Sequence, residues 1–374
     1  MTIYDVIIPE YIYKIKYNSI GLELYRHKLL NIFINHISDN YVKTQLIKEY
    51  KKKKFLKKAF AKFIFNLFTN KTYNKGNKII LDDVLFNIPT NEEVKSFYEY
   101  LNDGLKNKNI NLKFSYDQFN LLETIKNFIE KIKKFKKHHN KFKYKIINNY
   151  VLYYTENKKY SLDIRIYNKL KNEYTGDNLH KHILIGLIRY DTLDSGAEQY
   201  VVDLEYKKKL NKYGMDFECF GSMFNHYYSK YCSMFYDVEK YFGSYGSFFG
   251  IKIKKGMFMA NPPYDVNLLI KMYLHIKENL NGETLFIMSY PDWDGFILDK
   301  MTEDDKLYTA KKRKYDYFMD PLTFKMVKIP PYITQLYCSK SFDKNICNNI
   351  KNILLSFENM KVYGKRYLIP IQWN

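Results

Sequence analysis

The chain has few of the residues that would place it among disulfide-rich, zinc-stabilised or membrane proteins. Its four cysteines are Cys219, Cys232, Cys338 and Cys347. None forms a Cys-x-x-Cys pair, and no histidine lies at zinc-ligand spacing from two of them. We therefore expect neither a disulfide framework nor a metal site. The apolar runs are short, and FAKFIFNLF is interrupted by Lys62, so we expect no membrane-spanning helix.

The N-terminal segment MTIYDVIIPEYIYKIK lacks the basic-then-apolar order of a signal peptide. A reducing compartment is the default for a chain with this cysteine spacing. We therefore expect a soluble intracellular protein, either cytoplasmic or nuclear.

Positive charge is abundant. Lysine and arginine number 61 against 40 aspartate and glutamate residues, a formal net charge of +21. This excess favours a polyanionic partner, with nucleic acid first. Two clusters, Lys51–Lys58 and Lys131–His139, are each interpretable as the solvated face of a helix whose Phe55, Leu56 and Phe135 point inward, or as a phosphate-binding patch.

The pattern of apolar residues divides the chain into two parts. Residues 1–175 are basic and mainly helical in pattern, and Thr90-x-x-Glu93 is typical of a helix-starting capping box. In residues 176–374, short apolar runs alternate with segments of helical spacing, such as Val266–Leu280. This alternation predicts an α/β domain with a mostly parallel sheet. The candidate strands are HILIGLIRY, MDFECF, MFMANPPY, TLFIMSY and ITQLYCS.

The tetrapeptide Asn261-Pro262-Pro263-Tyr264 lies between a predicted strand and a predicted helix. Ligands of open α/β sheets bind at the carboxyl ends of strands, so the motif is placed for a site. Asn-Pro and Pro-Pro also occur in ordinary turns, which is the alternative interpretation.

These residue types suit methylation of an adenine amino group. That amine is a poor nucleophile because its lone pair is delocalised into the ring. The Asn261 side-chain oxygen and the Pro262 carbonyl would accept its two hydrogens and make the nitrogen tetrahedral. Prolines offer no competing N–H, and Tyr264 would stack on the base.

The segment upstream predicts a cofactor site. A strand ends at Glu218, whose carboxylate is a candidate for the cationic amine of S-adenosylmethionine. Phe220 would pack against the adenosine, and Gly221 would let the backbone approach. Asp237 and Glu239 are candidates for the ribose hydroxyls. The alternative for Glu218 is a residue at a helix start, and the alternative for Asp237 and Glu239 is a solvated loop carboxylate.

Two further residues are candidates for contacts with substrate. Trp293, after Pro291 at the end of a predicted strand, would stack on a second base, with core packing as its alternative. Arg189 would hold a phosphate or carboxylate, or else pair with Asp191 or Glu198.

Taken together, these segments resemble one family, the cap-specific adenosine N6-methyltransferases known as phosphorylated-CTD-interacting factor. The resemblance covers about residues 183–339. The shared elements, in chain order, are Glu218-Cys219-Phe220 with Ser222, Asn225 with Tyr227, Tyr231-Cys232-Ser233 with Phe235, Tyr241 to Ser244, Ala260 to Tyr264, and Pro291-Asp292-Trp293.

The resemblance implies a Rossmann-like class I methyltransferase domain beside a helical domain that grips the triphosphate bridge. It implies S-adenosyl-L-methionine as cofactor and capped RNA as partner, methylated at N6 of the adenosine beside the 7-methylguanosine cap. Ser222 and Ala260 would join the cofactor site, and Asn225 and Pro291 the substrate site. Animal members begin with a WW domain that binds the polymerase tail. The chain has two tryptophans, so we expect no WW domain and no docking to RNA polymerase II.

Three other functions would use the same motif. A DNA adenine N6-methyltransferase needs the same chemistry and a base-flipping module. Methylation of a glutamine amide is disfavoured by the charge of +21. The third is a non-catalytic RNA- or cap-binding subunit.

Overall fold

A computed structural model describes most of the chain. The described residues are 3–41, 49–73, 77–106, 113–193, 204–280, 282–291, 308–310, 316–319, 326–329 and 332–358. The helices among them are α1 (Ile20–Tyr41), α2 (Glu49–Thr72), α3 (Asn91–Lys106), α4 (Leu121–Lys133), α5 (Ile164–Glu173), α6 (Leu179–Thr192), α7 (Leu204–Asn211), α8 (Tyr236–Glu239), α9 (Val266–Asn279) and α10 (Lys344–Glu358).

The strands are mostly short. They are β1 (Asp5–Ile7), β2 (Glu10–Tyr13), β3 (Lys78–Leu81), β4 (Lys143–Ile147), β5 (Tyr150–Tyr154), β6 (Lys159–Asp163), β7 (Phe217–Glu218), β8 (Lys230–Tyr231), β9 (Lys252–Ala260), β10 (Glu283–Pro291), β11 (Tyr308–Ala310), β12 (Asp316–Met319), β13 (Met326–Ile329) and β14 (Tyr332–Cys338).

Helices α1 to α4 surround one apolar core. The predicted capping box starts α3: the Thr90 N–H donates to Glu93 at 2.8 Å, and the Glu93 N–H donates to the Thr90 hydroxyl at 3.2 Å. Leu56 is buried in this core, and Phe55 and Phe135 pack against it. The inward orientation predicted for the apolar residues of both basic clusters is therefore confirmed.

The largest sheet has seven strands in the order β11-β14-β10-β9-β7-β8, with β1 also beside β9. Strands β8, β7, β9 and β10 are mutually parallel, whereas β14 runs antiparallel to β10. The predicted α/β class is confirmed, but the sheet is mixed where a mostly parallel one was predicted: of its six described pairings, three are parallel and three are antiparallel. Buried apolar residues on both faces of β9 and β10 are typical of strands covered on each side.

One candidate strand, the run that ends near Arg189 and could be a strand or a helix, is a helix. The run HILIGLIRY lies within α6, whose residues Ile183 to Arg189 are all buried. A continuous apolar run fits a buried helix as well as a buried strand, and periodicity does not separate them. An added side-chain carbon at Gly186 would lie 2.6 Å from the sulfur of Met223, which lies in the loop after β7. This glycine therefore lets that loop pack closely on α6.

Strands from the first part of the chain pack with elements that follow the predicted division near residue 175. β1 pairs antiparallel with β9, with Asp5 opposite Lys255. β4, β5 and β6 form a separate antiparallel sheet. Its buried residues share a core with α5 and α6.

The expectation that the cysteines stay unpaired is wrong for two of them. Cys338 at the end of β14 and Cys347 in α10 form a disulfide, with their Cα atoms 6.7 Å apart. The turn from strand to helix brings them together, which their spacing of nine residues does not reveal. Cys219 and Cys232 are buried thiols.

Candidate active site

Three of the segments predicted to form the site meet at one edge of the large sheet. Glu218 ends β7 and lies opposite Met259 of β9, while Ala260 ends β9 and lies opposite Met288 of β10. Parallel strands present their carboxyl ends on the same side, which is where α/β sheets bind ligands. The residues following β7 and β9, together with the end of β10, therefore converge at one place.

The motif at 261–264 follows β9 directly and leads into α9. Pro262 is buried, and Asn261, Pro263 and Tyr264 are half-buried. The following Asp265 caps α9, since its carboxylate accepts from the Leu268 N–H at 3.1 Å. The motif is thus held between a buried strand and a capped helix, as predicted from the order of elements.

Asn261 has an acceptor that nothing in the described residues satisfies. Its Oδ1 atom is buried from solvent and receives no hydrogen bond there. An unsatisfied buried acceptor costs about 1–3 kcal/mol, and such atoms are rare in folded proteins. A ligand that brings an N–H donor to this oxygen would remove the cost.

The predicted cofactor loop after β7 is organised around Glu218. This buried carboxylate accepts from Lys207 Nζ at 2.7 Å and from the Tyr227 and Tyr228 N–H groups at 2.5 and 3.1 Å. Burial alone raises the pKa of Glu218, but the Lys207 ammonium and these donors lower it below its usual value. Glu218 is therefore an ionised anchor within the protein, a role that the sequence did not reveal.

Phe220 and Gly221 lie next to this anchor. The half-buried Phe220 ring packs against Phe248 and Phe249, with centroids 5.2 and 5.7 Å away. A side-chain carbon built on Gly221 would lie 3.3 Å from the Tyr231 ring. The glycine thus permits a tight turn of the loop at the sheet edge.

Ser222 and Asn225 shape the same loop. Asn225 Oδ1 accepts from the Ser222 N–H at 2.6 Å. Because this oxygen closes a turn, Asn225 positions the backbone near the site.

The two predicted ribose-binding acids are both engaged with the protein. Asp237 receives two bonds from the Arg189 guanidinium, at 2.7 and 2.8 Å. Glu239 accepts from the Tyr190 hydroxyl at 2.6 Å and from the Met223 N–H at 2.7 Å. Burial raises the pKa of Glu239 to about 7, although both donors favour its ionised form.

Arg189 is fully buried and forms ion pairs that differ from the predicted ones. Besides Asp237, it donates to Glu23 of α1 at 2.8 Å. Asp191 pairs instead with Lys158, so Asp191 is wrong as its partner, and Glu198 lies outside the described residues. The geometry gives Arg189 a structural role between α1, α6 and α8.

The remaining predicted residues are at the end of β10 and beyond. Ala260 and Pro291 are buried where β9 and β10 end. Trp293 lies outside the described residues. Lys207 was not predicted: it belongs to a run of three lysines, and only contact with Glu218 distinguishes it from the exposed Lys208 and Lys209.

Glu239 predicts a pH dependence of stability. A carboxyl whose pKa is raised on folding takes up a proton, so stability falls as pH rises from about 4.5 to about 7. The loss is on the order of 3 kcal/mol. Urea unfolding at pH 5 and pH 8 should show this fall, and Glu239→Gln should lessen it. An identical pH profile in the variant would contradict the assignment.

The described residues contain no group of three or more His, Cys, Asp or Glu side chains able to hold a metal ion. Among the described helices, none is long and apolar enough to cross a membrane.

An α/β sheet with converging loops at its carboxyl edge defines a ligand-binding or enzymatic class of protein. Within that class, a family model described as the phosphorylated CTD interacting factor 1 WW domain matches residues 161–315. The mRNA (2'-O-methyladenosine-N(6)-)-methyltransferases of Mus musculus and Homo sapiens are each 40% identical over 84 residues. The predicted resemblance to this family is confirmed.

The match to these relatives is local. The 84 residues make up 22% of this chain and 12% of either relative. The residues matched by the family model contain one tryptophan, Trp293, and their described part includes α6, β7 to β10 and α9.

Proposed function

We propose that the chain is an S-adenosylmethionine-dependent methyltransferase that acts on N6 of the adenosine beside the 7-methylguanosine cap of mRNA. The proposal rests on the Asn261 side-chain oxygen, which lies at the carboxyl end of β9. This oxygen is buried and receives no hydrogen bond from the described residues. The names of the two matching relatives support an mRNA adenosine as the substrate. The excess of positive charge supports an RNA partner.

Asn261 and Pro262 would prepare the amine for reaction. The N6 group of adenine carries two hydrogens, and the Asn261 Oδ1 atom and the Pro262 carbonyl are two acceptors on one short loop. Accepting both hydrogens draws the nitrogen towards a tetrahedral shape and directs its lone pair outward. Alignment of reacting groups then supplies much of the rate. The half-buried Tyr264 would stack on the base and hold it in this orientation.

No strong base is required. Once a new N–C bond forms, the nitrogen is cationic and releases a proton readily to water. The acids near the loop support this view of the site, since Glu218, Asp237 and Glu239 are each engaged with a basic or donor group of the protein.

The loop after β7 fits a nucleoside cofactor. The Phe220 ring is half-buried beside Gly221, where the lack of a side chain brings the backbone to the sheet edge. Bound S-adenosylmethionine would supply the electrophilic methyl group. We infer that Phe220, Gly221 and Ser222 contact its adenosine and that Glu218, with Lys207, orders the loop. In this proposal Ala260, at the end of β9, also lines the cofactor side.

The arrangement of the sheet supports a Rossmann-like methyltransferase domain. Four parallel strands form its centre, with β14 antiparallel to β10 and β1 antiparallel to β9, and antiparallel strands on an otherwise parallel sheet are common in doubly wound folds. We propose RNA as the partner and do not propose binding to the tail of RNA polymerase II. The residues matched by the family model that is described as a WW domain contribute strands to this sheet.

Methyl transfer from labelled S-adenosylmethionine tests the proposal directly. Three substrates are compared at one salt concentration: RNA beginning with capped adenosine, the same RNA uncapped, and adenine-containing DNA. We expect transfer to the capped RNA alone, mapped to N6 of the first adenosine. Equal transfer to uncapped RNA or DNA would reject the cap assignment but keep the Asn261 chemistry. No transfer to any of the three would reject the enzyme.

A further inference from the structure

In the sheet formed by β4, β5 and β6, one side of β5 and β6 lies on the core and the other is directed towards solvent, whereas the residues of β4 are exposed on both sides. Val151, Tyr153, Tyr160 and Leu162 are buried and pack with α5 and α6. Alternate residues therefore point the other way. We call this side the outer face; it consists of Lys143, Lys145, Ile147, Tyr150, Leu152, Tyr154, Lys159, Ser161 and Asp163.

The outer face is basic and aromatic. Lys143 and Lys159 lie on either side of Tyr154 in the strand register, and all three lysines of the face are exposed. Lys159 Nζ lies 5.7 Å from the centroid of the Tyr154 ring. Tyr150 remains 48% exposed, a large fraction for an aromatic side chain in a sheet.

Negative charge is nearly absent from this surface. Asp163, at the end of β6, is buried and bonded to Arg165 at 2.9 Å. The other residues of the outer face include no acid. Their charge is therefore complementary to a polyanion.

The basic surface continues into the segment before β4. Residues 131–145 contain eight lysines and no acidic residue. Their lysines are exposed throughout this segment. A continuous basic strip thus runs from the end of α4 onto the outer face.

The combination fits a single-stranded nucleic acid better than a duplex. Exposed rings give stacking surfaces for unpaired bases, and neighbouring lysines contact the phosphates. Bases in a duplex are already stacked on each other and would not use the tyrosines. The strip has no pattern of side chains that reads base edges, so binding should tolerate any sequence.

The outer face is connected to the candidate active site. β6 leads directly into α5, whose first turn is capped by Asp163. Lys169 of α5 donates to the His226 carbonyl, and Glu173 accepts from His226 at 3.1 Å. His226 belongs to the loop after β7, so the sheet and the candidate site share one rigid support.

We propose that the outer face of the β4–β6 sheet binds the single-stranded RNA that follows the methylated nucleotide. This inference rests on the proposed function for its choice of RNA as the physiological strand. The surface itself is testable without catalysis.

Binding of a labelled oligouridine of about 16 nucleotides to the full chain tests the proposal. The variant Lys143→Ala/Lys145→Ala/Lys159→Ala should weaken binding about tenfold or more. The binding constant of this variant should also depend less on salt. The slope of the logarithm of the binding constant against the logarithm of the salt concentration should decrease in magnitude by about two, because three phosphate contacts are lost. Tyr150→Ala alone should weaken binding about fivefold or more.

A matched control removes the same charge elsewhere. Lys126, Lys252 and Lys254 are exposed and lie on α4 and at the amino end of β9. Changing these three to alanine should alter oligouridine binding by less than about twofold. Equal losses in the two triple variants, or no loss in the outer-face variant, would overturn the proposal. If the outer-face variant lost affinity for duplex RNA to the same extent, the assignment to single-stranded RNA would be overturned.

Two measurements separate this surface from the catalytic proposal. Asn261→Ala should bind the oligouridine as tightly as the unaltered chain does. The outer-face variant should methylate a capped RNA only a few nucleotides long at the normal rate, but should show a raised KM for a long one. If methylation is absent while the binding difference is present, the proposed function fails and the RNA-binding surface is retained.

Discussion

Replacing Asn261 with alanine should lower methyl transfer at least about a hundredfold, while binding of RNA and cofactor remains. The expected loss is comparable to removing one preorganised hydrogen-bonding group from an active site. In the proposed mechanism the side-chain oxygen accepts a hydrogen of the reacting amine, and alanine would leave that hydrogen without an acceptor. Single-turnover transfer from labelled S-adenosylmethionine to capped RNA measures the effect.

The same substitution should not destabilise the protein. The Asn261 oxygen is buried and unsatisfied in the described residues, so removing it also removes a desolvation cost. We expect the free energy of unfolding to be unchanged or slightly increased. Asn127→Ala, an exposed change in α4, is the control for both measurements. Loss of activity together with a large loss of stability would indicate a structural role for Asn261.

Replacing Arg189 with leucine should destabilise the fold by about 3–5 kcal/mol. Removing the guanidinium leaves Asp237 without its cation and Glu23 with Arg26 alone, and a poorly compensated buried charge is costly. Urea unfolding followed by circular dichroism measures the change. A typical domain has a free energy of unfolding of only about 5–15 kcal/mol. The midpoint of urea unfolding should therefore fall to a much lower urea concentration.

Arg165→Leu provides the contrast. Arg165 also pairs with an aspartate, but its side chain is 39% exposed. We expect a loss of less than about 1 kcal/mol, as for other exposed ion pairs. If Arg189→Leu kept normal stability and lost affinity for RNA instead, Arg189 would be a substrate-binding residue, as the sequence alone suggested.

The elements at the sheet edge could be predicted because their signals are local. A strand, the 261–264 motif and a helix follow each other along the chain, and Asp265 caps the helix as its position suggests. The α/β class followed in the same way from the alternation of apolar runs. The run within α6 could be a strand or a helix from the sequence, because its buried residues Ile183–Arg189 include no polar face that would show the helical period.

The partners of the charged residues could not be predicted. Glu218 and Lys207 are close in sequence, but nothing in the sequence shows that this lysine, of three in a row, turns inward. Arg189 meets Glu23 across 166 positions of the chain. Such contacts depend on how the helices pack against each other, and this packing cannot be predicted from a single sequence.

The pairing of β1 with β9 has a consequence for synthesis of the chain. Asp5 lies opposite Lys255, so β1 leaves the ribosome about 250 residues before the strand with which it pairs. Contacts this distant in sequence form slowly, and exposed strand edges tend to aggregate meanwhile. Until β9 emerges, the nascent N-terminal strand has no partner in the large sheet. A segment inserted next to β1 would therefore interfere with folding more than with chemistry.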